Sequence, residues 1–484
     1  MTTANLHVVV CGGGLAGQMT AAALGAYACP TLTISWLSEG KDPDTDLFYG
    51  HLAPPDAYRF NLACRVAEPD LILHSQTALS FGTHYRHWGA QGLDWVQAFH
   101  QPLPVLEGVP FHHYLTQQGQ GALEPYLVSA LAARRGVFAH PPEDRNHPLS
   151  RAEYGYHFEA ADYGQRFERA ALSAGVRRIE AAIAAVEAAD GHIRAVHLSD
   201  GQSLTADVWI DASGPHAALL SHLVPETLGH RRLTAQQVRS DAPPAGGGVT
   251  VVTGMPEGWQ AQTPLRAALL TLSVTEADSV SPADASARTA TLTEGQRRAA
   301  WAGNCVGIGQ AACVAEPLTP APMILLQRDI ERLLALLPVT ADLSVERREF
   351  NRQAEADYAH AGLFMRALFT AAPLDGSAYW QAATAEPEDA RLRLKIEQFE
   401  SRGLPVAFDL EPFSREDWLI LHYGMGRRPA RYDRTADRAD PARVEAYLAA
   451  QRRDIDGVAR ALPPHHQYLD GLTGYLRQQQ GQTA

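Results

Sequence analysis

Apolar positions near the start of the chain fall into short runs separated by small residues. "LHVVV" is followed by the glycine-dense "CGGGLAGQ", by the helix formers of "MTAAALGAYA" and by a second apolar run, "TLTISWL". That order predicts strand, turn, helix and strand, the opening of a βαβ unit. Residues 166–220 predict a helix, then a β-meander turning at Asp190-Gly191 and again at Asp200-Gly201, then an apolar strand that ends in Ala-Ser-Gly. A further short apolar strand, "CVGIGQAACVAEPL" (305–318), runs into a turn of small residues. Between 226 and 294, "GVTVVTG" and "AALLTLSV" read as strands, "SDAPPAGGG" as a turn or loop, and "TEADSVSPADASARTATLTEGQ" as a polar surface excursion. From about 346 helices dominate. The clearest begins at Asp440 as N-cap with Pro441 at its first position, carries Val444, Leu448, Ile455, Val458 and Leu462 along one face, and stops at Pro463.

The first turn has the spacing Gly12-x-Gly14-x-x-Gly17. In a strand-turn-helix setting these glycines permit the tight turn, the approach of backbone to a pyrophosphate and the close packing of helix on strand, with the helix N-terminal amides aimed at the phosphates. The acid that would bond the adenosine ribose is less well placed: Ser38 stands in its position and Glu39 one step later. The Ala-Ser-Gly strand with Gly214, and the turn with Gly309 and Gln310, match the two elements by which FAD folds of the hydroxylase type close over the dinucleotide. The expected fold is therefore α/β: an FAD-binding Rossmann-like domain over residues 1–345 with an inserted β-sheet at about 226–294, then a mostly α-helical region over 346–484. FAD is the expected cofactor.

Length supports two regions, since 484 residues exceed what one core usually serves. Hydrophobic residues make up 46% and charged residues 20%, the balance of a soluble globular protein. A net charge of −13 without a basic block would repel a nucleic-acid backbone, so no such partner is expected. Five widely spaced cysteines without a Cys-x-x-Cys pair give no reason to expect a structural metal or a disulfide framework, and fit a reducing cytoplasm. The N-terminal apolar stretch lacks a basic flank and is too glycine-rich for a spanning helix, so no membrane association is expected.

Several segments resemble the flavin-dependent tryptophan halogenase family across nearly the whole chain: "YGYHFEAADYGQRFERAALSAGV" (154–176), "WIDASGPHAALL" (209–220), "GWQAQTPL" (258–265), "GQAACVAEPL" (309–318), "SAYW" (377–380) and "FSREDWLILHYGMGRRPARYD" (413–433). The resemblance implies reduced FAD from a separate reductase, O₂, a halide, and a hypohalous acid that travels to a lysine and a glutamate beside an electron-rich ring. It places a ring-stacking His and aromatic at His112, His113 and Tyr114 in "PFHHYL", with Trp418 and Tyr423 as further substrate-side groups.

Against that pattern the chain departs at its chemistry. Ser80 stands where the family places its lysine, and no lysine occurs between Lys41 and Lys395; a serine hydroxyl is neutral and forms no haloamine. Thr319 stands in place of the glutamate. Pro320-Ala321-Pro322 replaces Ser-Thr-Gly, so Ala321 keeps one of the two halide-facing amides while Pro322 has no N–H to offer. Ala261 and Thr263 take the places of a Trp and an Ile that keep flavin and substrate apart. Gln310 replaces an Asp, and its amide can still accept or donate. These losses lead to a monooxygenase or oxidase acting on an aromatic or indole-bearing substrate, peptidyl tryptophan included, with His112, His113 and Ser80 as candidate catalytic groups. Two alternatives stay open: a catalytically silent binding or accessory protein, and a true halogenase with a rearranged site. Electrons would come from a separate reductase or from the substrate, and a homodimer is one option for the assembly.

Overall fold

The computed structural model describes residues 5–38, 44–229, 231–241, 246–277, 287–337, 342–371, 378–385 and 389–483. Glu39, Ser377, and parts of the 240–248 turn and the 275–296 excursion lie outside the described residues. By contact the chain forms two compact units: Met1–Thr77, Phe158–Val238 and Glu276–Ala359 make the first, and Ala78–His157, Arg239–Thr275 and His360–Ala484 the second. Residues 78–157 and 239–275 therefore group with the C-terminal helices, although they precede residue 345.

The first unit is built on a six-stranded sheet in the order Arg177–Ile179, Leu32–Leu37, Leu6–Cys11, Val208–Asp211, Cys305–Gly307, Trp301–Ala302. The first five strands run parallel and the last antiparallel. Val8, Val9 and Val10 are all fully buried, as a strand covered on both faces requires, and this is why "LHVVV" shows a run instead of an alternation. Each such valine contributes about 1.5–3 kcal/mol of burial. The helix Leu15–Tyr27 follows the glycine turn and packs against the helix Ala160–Ser173. The meander forms as read: Ile183–Ala189 and His192–Leu198 pair antiparallel across Asp190-Gly191, both at positive φ (52° and 72°), and Ser203–Leu204 follows the turn at Gly201.

In the second unit strands lie in the order Leu269–Glu276, Gly258–Pro264, Thr250–Met255, Gly82–Trp88, Leu93–Ala98. Leu270, Leu272 and Val274 alternate with less buried neighbours, the period-two signature of a sheet with one covered face. The strands Gly258–Pro264 and Gly82–Trp88 were not among those read from the pattern. Helices Ala390–Arg402, Arg415–Gly424, Pro441–Ala461 and His465–Thr483 complete the unit. Ser414 and Asp417 form a reciprocal capping box at one start, and the Asp440 carboxylate accepts the Ala442 N–H at 3.1 Å at another. Trp380 meets Trp88 and Phe369 edge to face in the core, and its indole donates to the Met255 carbonyl at 2.8 Å.

Candidate functional site

The glycine turn of the first unit is forced by contact. Gly12 sits at φ 140°, and a Cβ there would lie 2.1 Å from the Ala212 carbonyl oxygen; a Cβ on Gly17 would lie 2.0 Å from the Gly12 oxygen. Only glycine fits either place, which is the backbone cradle a dinucleotide needs. The Trp36 indole pins the turn by donating to the Gly12 carbonyl at 2.7 Å. At the end of the second strand the Ser38 N–H donates to Ile179 O at 2.9 Å, and the Arg178 guanidinium lies 5.2 Å over the Trp36 ring.

Two further turns complete this side. The Asp211 carboxylate, fully buried, accepts the Ser213 amide at 3.1 Å and the Leu219 and Leu220 amides at 2.8 and 2.7 Å, folding the segment that carries Gly214. Arg297 donates to the carbonyls of Ala311 at 3.0 Å and of Pro215 and His216 at 3.3 and 3.2 Å, tying this turn to the one at 309–311. There the Gly309 N–H donates to Asp329 at 3.2 Å, the Gln310 N–H to the Tyr49 hydroxyl at 3.2 Å, and the Gln310 side-chain amide to the Thr45 carbonyl at 2.9 Å. Asp329 also accepts from Tyr358 at 3.0 Å and Arg332 at 2.9 Å, and burial pushes its carboxyl up to about 6. Sequence reasoning missed Asp211, Arg297 and Asp329, which act through long-range bonds that no local pattern announces.

The prolines after Leu318 have a structural role. Pro320 is the N-cap of the helix Ala321–Ala335 and Pro322 lies in its first turn, where a missing N–H breaks no helical bond. The Ala321 amide is not left open: it donates to the Thr319 hydroxyl at 3.2 Å.

The N-terminus of the helix Leu15–Tyr27 is also engaged. The Leu15 N–H donates to the Asp46 carboxylate at 3.1 Å, and a Cβ on Gly14 would stand 3.1 Å from the other Asp46 oxygen. The cradle thus fits a dinucleotide in backbone shape, and the helix N-terminus that opens beside it is capped by a carboxylate of the chain.

In the second unit Ser80 is fully buried and its hydroxyl donates to the Gly82 carbonyl at 3.2 Å while accepting the Gly82 N–H. His112 and His113 lie side by side on the helix Phe111–Gln117, ring centroids 4.4 Å apart. The His112 Nε2 meets the Gly403 carbonyl at 2.7 Å, and burial pulls its pKa down to about 4, so the ring is neutral and donates there. His113 Nδ1 accepts the Asp433 N–H at 3.3 Å, and burial lowers its pKa as well. Tyr114 donates to the Leu106 carbonyl at 3.0 Å. Trp418 and Tyr423 share the helix Arg415–Gly424. The Trp418 indole donates to Glu411 at 2.6 Å, with the Lys395 ammonium 4.3 Å over its ring; Arg428 lies 4.9 Å over Tyr423. Lys395 is fully buried and pairs with Glu411 at 2.9 Å. Ala261 and Thr263 lie on the strand Gly258–Pro264, Thr263 sharing its hydroxyl with Thr250 at 3.3 Å. Among the described residues no cluster of His, Cys, Asp or Glu is arranged to hold a metal ion, and no helix is long and apolar enough to cross a membrane.

Comparison with known proteins accords with this architecture. The sequence model of the tryptophan halogenase family matches residues 7–441. The chain is 23% identical to the tryptophan 7-halogenase KtzQ of Kutzneria sp. (strain 744), over 96% of this chain and 98% of that protein. Among solved structures it is similar to BrvH, a flavin-dependent halogenase from Brevundimonas sp. BAL3, with TM-score 0.86 and 28% identity, covering 96% of this chain and 99% of that one. It is also similar to Xcc4156, a flavin-dependent halogenase from Xanthomonas campestris, with TM-score 0.87 and 25% identity, covering 96% and 98%. The expected α/β architecture with a Rossmann-like flavin-binding region is the architecture of these neighbours. All three relatives are halogenases, so the likeness supports the halogenase alternative and lends the monooxygenase or oxidase reading no support.

Proposed function

Given that the chain belongs to the tryptophan halogenase family, we propose that it is a flavin-dependent halogenase acting on tryptophan, another indole or a peptidyl tryptophan, with FAD reduced by a separate reductase. The observation that carries this reading is the span of the family match, 7–441, which takes in the flavin cradle of the first unit and the helices Ala390–Arg402 and Arg415–Gly424 of the second. When bound, the flavin supplies the oxidising chemistry with O₂. The chain's own part is to hold it. Gly12, Gly14 and Gly17 give the backbone room for the pyrophosphate, and the amides opening the helix Leu15–Tyr27 give it donors. Asp211 and Arg297 fix the turns that bear Gly214 and Gly309.

His112, held neutral by burial, is a hydrogen-bond donor and not a cation, and Ser80 and Thr319, at the positions where the family resemblance puts a lysine and a glutamate, are neutral too. Slow turnover and weak regioselectivity are therefore expected. The test supplies FAD, a flavin reductase with NADH as electron donor, O₂ and bromide with tryptophan, indole and indole-bearing peptides, and reads products by mass. Brominated product supports the reading. Product carrying only an added oxygen would return the monooxygenase, and bound flavin with no product would leave a silent binding protein.

A further inference from the structure

The short helical turn Thr45–Tyr49 touches each of the three elements that frame the flavin cradle. Its Asp46 carboxylate caps the helix Leu15–Tyr27 through the Leu15 N–H at 3.1 Å. Its Thr45 carbonyl accepts the Gln310 side chain at 2.9 Å, and its Tyr49 hydroxyl accepts the Gln310 N–H at 3.2 Å. The Thr45 hydroxyl lies 3.8 Å from the point a Cβ on Gly214 would occupy. Leu47, Phe48 and Tyr49 are buried and anchor one end; Asp44 is tied to Arg288 at 3.0 Å at the other.

A helix N-terminus favours a carboxylate for the same reason it favours a phosphate: unbonded N–H groups and the positive end of the helix dipole point at one spot. Gly14, the N-cap, offers no side chain of its own, and the helix has no acid in its first turn. Asp46 supplies that acid from 31 residues away.

We propose that Asp46 competes with the flavin's pyrophosphate for one seat, so that FAD enters the cradle by displacing a carboxylate of the chain itself. The inference rests on the flavin reading above and adds to it a residue that sets affinity. Two anions cannot share those amides, and the turn that carries Asp46 must shift when the phosphate takes them.

The test compares wild type with Asp46→Asn and Asp46→Ala in equilibrium dialysis against FAD and against inorganic pyrophosphate, at low and high salt. Asn keeps an oxygen that can accept the Leu15 N–H, so it removes the charge while preserving the cap. The expected result is FAD binding about tenfold tighter in Asp46→Asn at low salt, a gap that narrows as salt rises, as for a charge at a helix terminus. Hydrogen exchange across residues 44–50 should speed up in wild type when FAD is added. Equal or weaker binding by Asp46→Asn, with flavin still bound by both proteins, overturns the competition and leaves the flavin reading standing. Neither FAD nor pyrophosphate held by wild type or either variant overturns both.

Discussion

Replacing Asp329 by Asn tests whether the turn at Gly309 is held by a group that titrates near neutrality. Asp329 is 1% exposed, and the causes acting on its carboxyl are, in order, burial, which raises its pKa, then the Arg332 charge and the bonds from Gly309 and Tyr358, which lower it, and last the Asp357 charge, which raises it. The outcome is a carboxyl at about 6 against an ordinary 3.8. Between those values the folded chain keeps a proton that the unfolded chain has lost. The stabilisation this provides is complete below the unfolded pKa and disappears as pH rises through the folded one. At about 1.36 kcal/mol per pH unit the swing is ~3 kcal/mol. An asparagine oxygen can still accept from Gly309 and Tyr358 but does not titrate, and Arg332 keeps Asp357. Urea unfolding of both proteins, followed by tryptophan fluorescence from pH 4 to 7.5, isolates the group, because other titrations cancel in the difference. The variant should gain about 3 kcal/mol on wild type across that range. A difference that stays flat, or slopes the other way, refutes the reasoning.

Gly17→Ala drives a methyl into the Gly12 carbonyl at 2.0 Å; we expect a fall in Tm of several degrees with loss of FAD retention, read by thermal shift and flavin absorbance. Lys395→Met leaves the buried Glu411 without its ammonium partner, with the Trp418 indole and the Phe408 N–H as its donors among the described residues. It should cost about 3–5 kcal/mol, and Lys395→Met with Glu411→Gln should recover part of that in a denaturation cycle. If the double variant is no more stable than the single one, the pair is not the source of the loss. Ser414→Ala removes the hydroxyl that accepts the Asp417 N–H at 3.1 Å and should cost about 1 kcal/mol by the same measurement.

Local rhythm carried the first unit well. The glycine spacing, the buried valine run and the Asp-Gly turns each act within a few residues, so they could be read before any contact was known. The prolines at 320 and 322 read as loop residues, yet they open the helix Ala321–Ala335, where a missing N–H breaks no helical bond although Pro322 still has no amide to offer. The apolar period that follows them was the signal to read. Asp46, Arg297 and Asp329 were beyond reach, since each acts on a backbone group brought close only by the fold. The same holds for the grouping of 78–157 with 360–484, which depends on contacts hundreds of residues apart in the chain.

The chain contains two lysines, Lys41 and Lys395, and the second lies sealed between Trp418 and Phe408 with no exposed surface. An acylating reagent dissolved in water reaches that amine only when the surrounding helices come apart. Mass spectrometry of its labelling over time is therefore a clock for the breathing of the second unit, with the folded protein as its own zero.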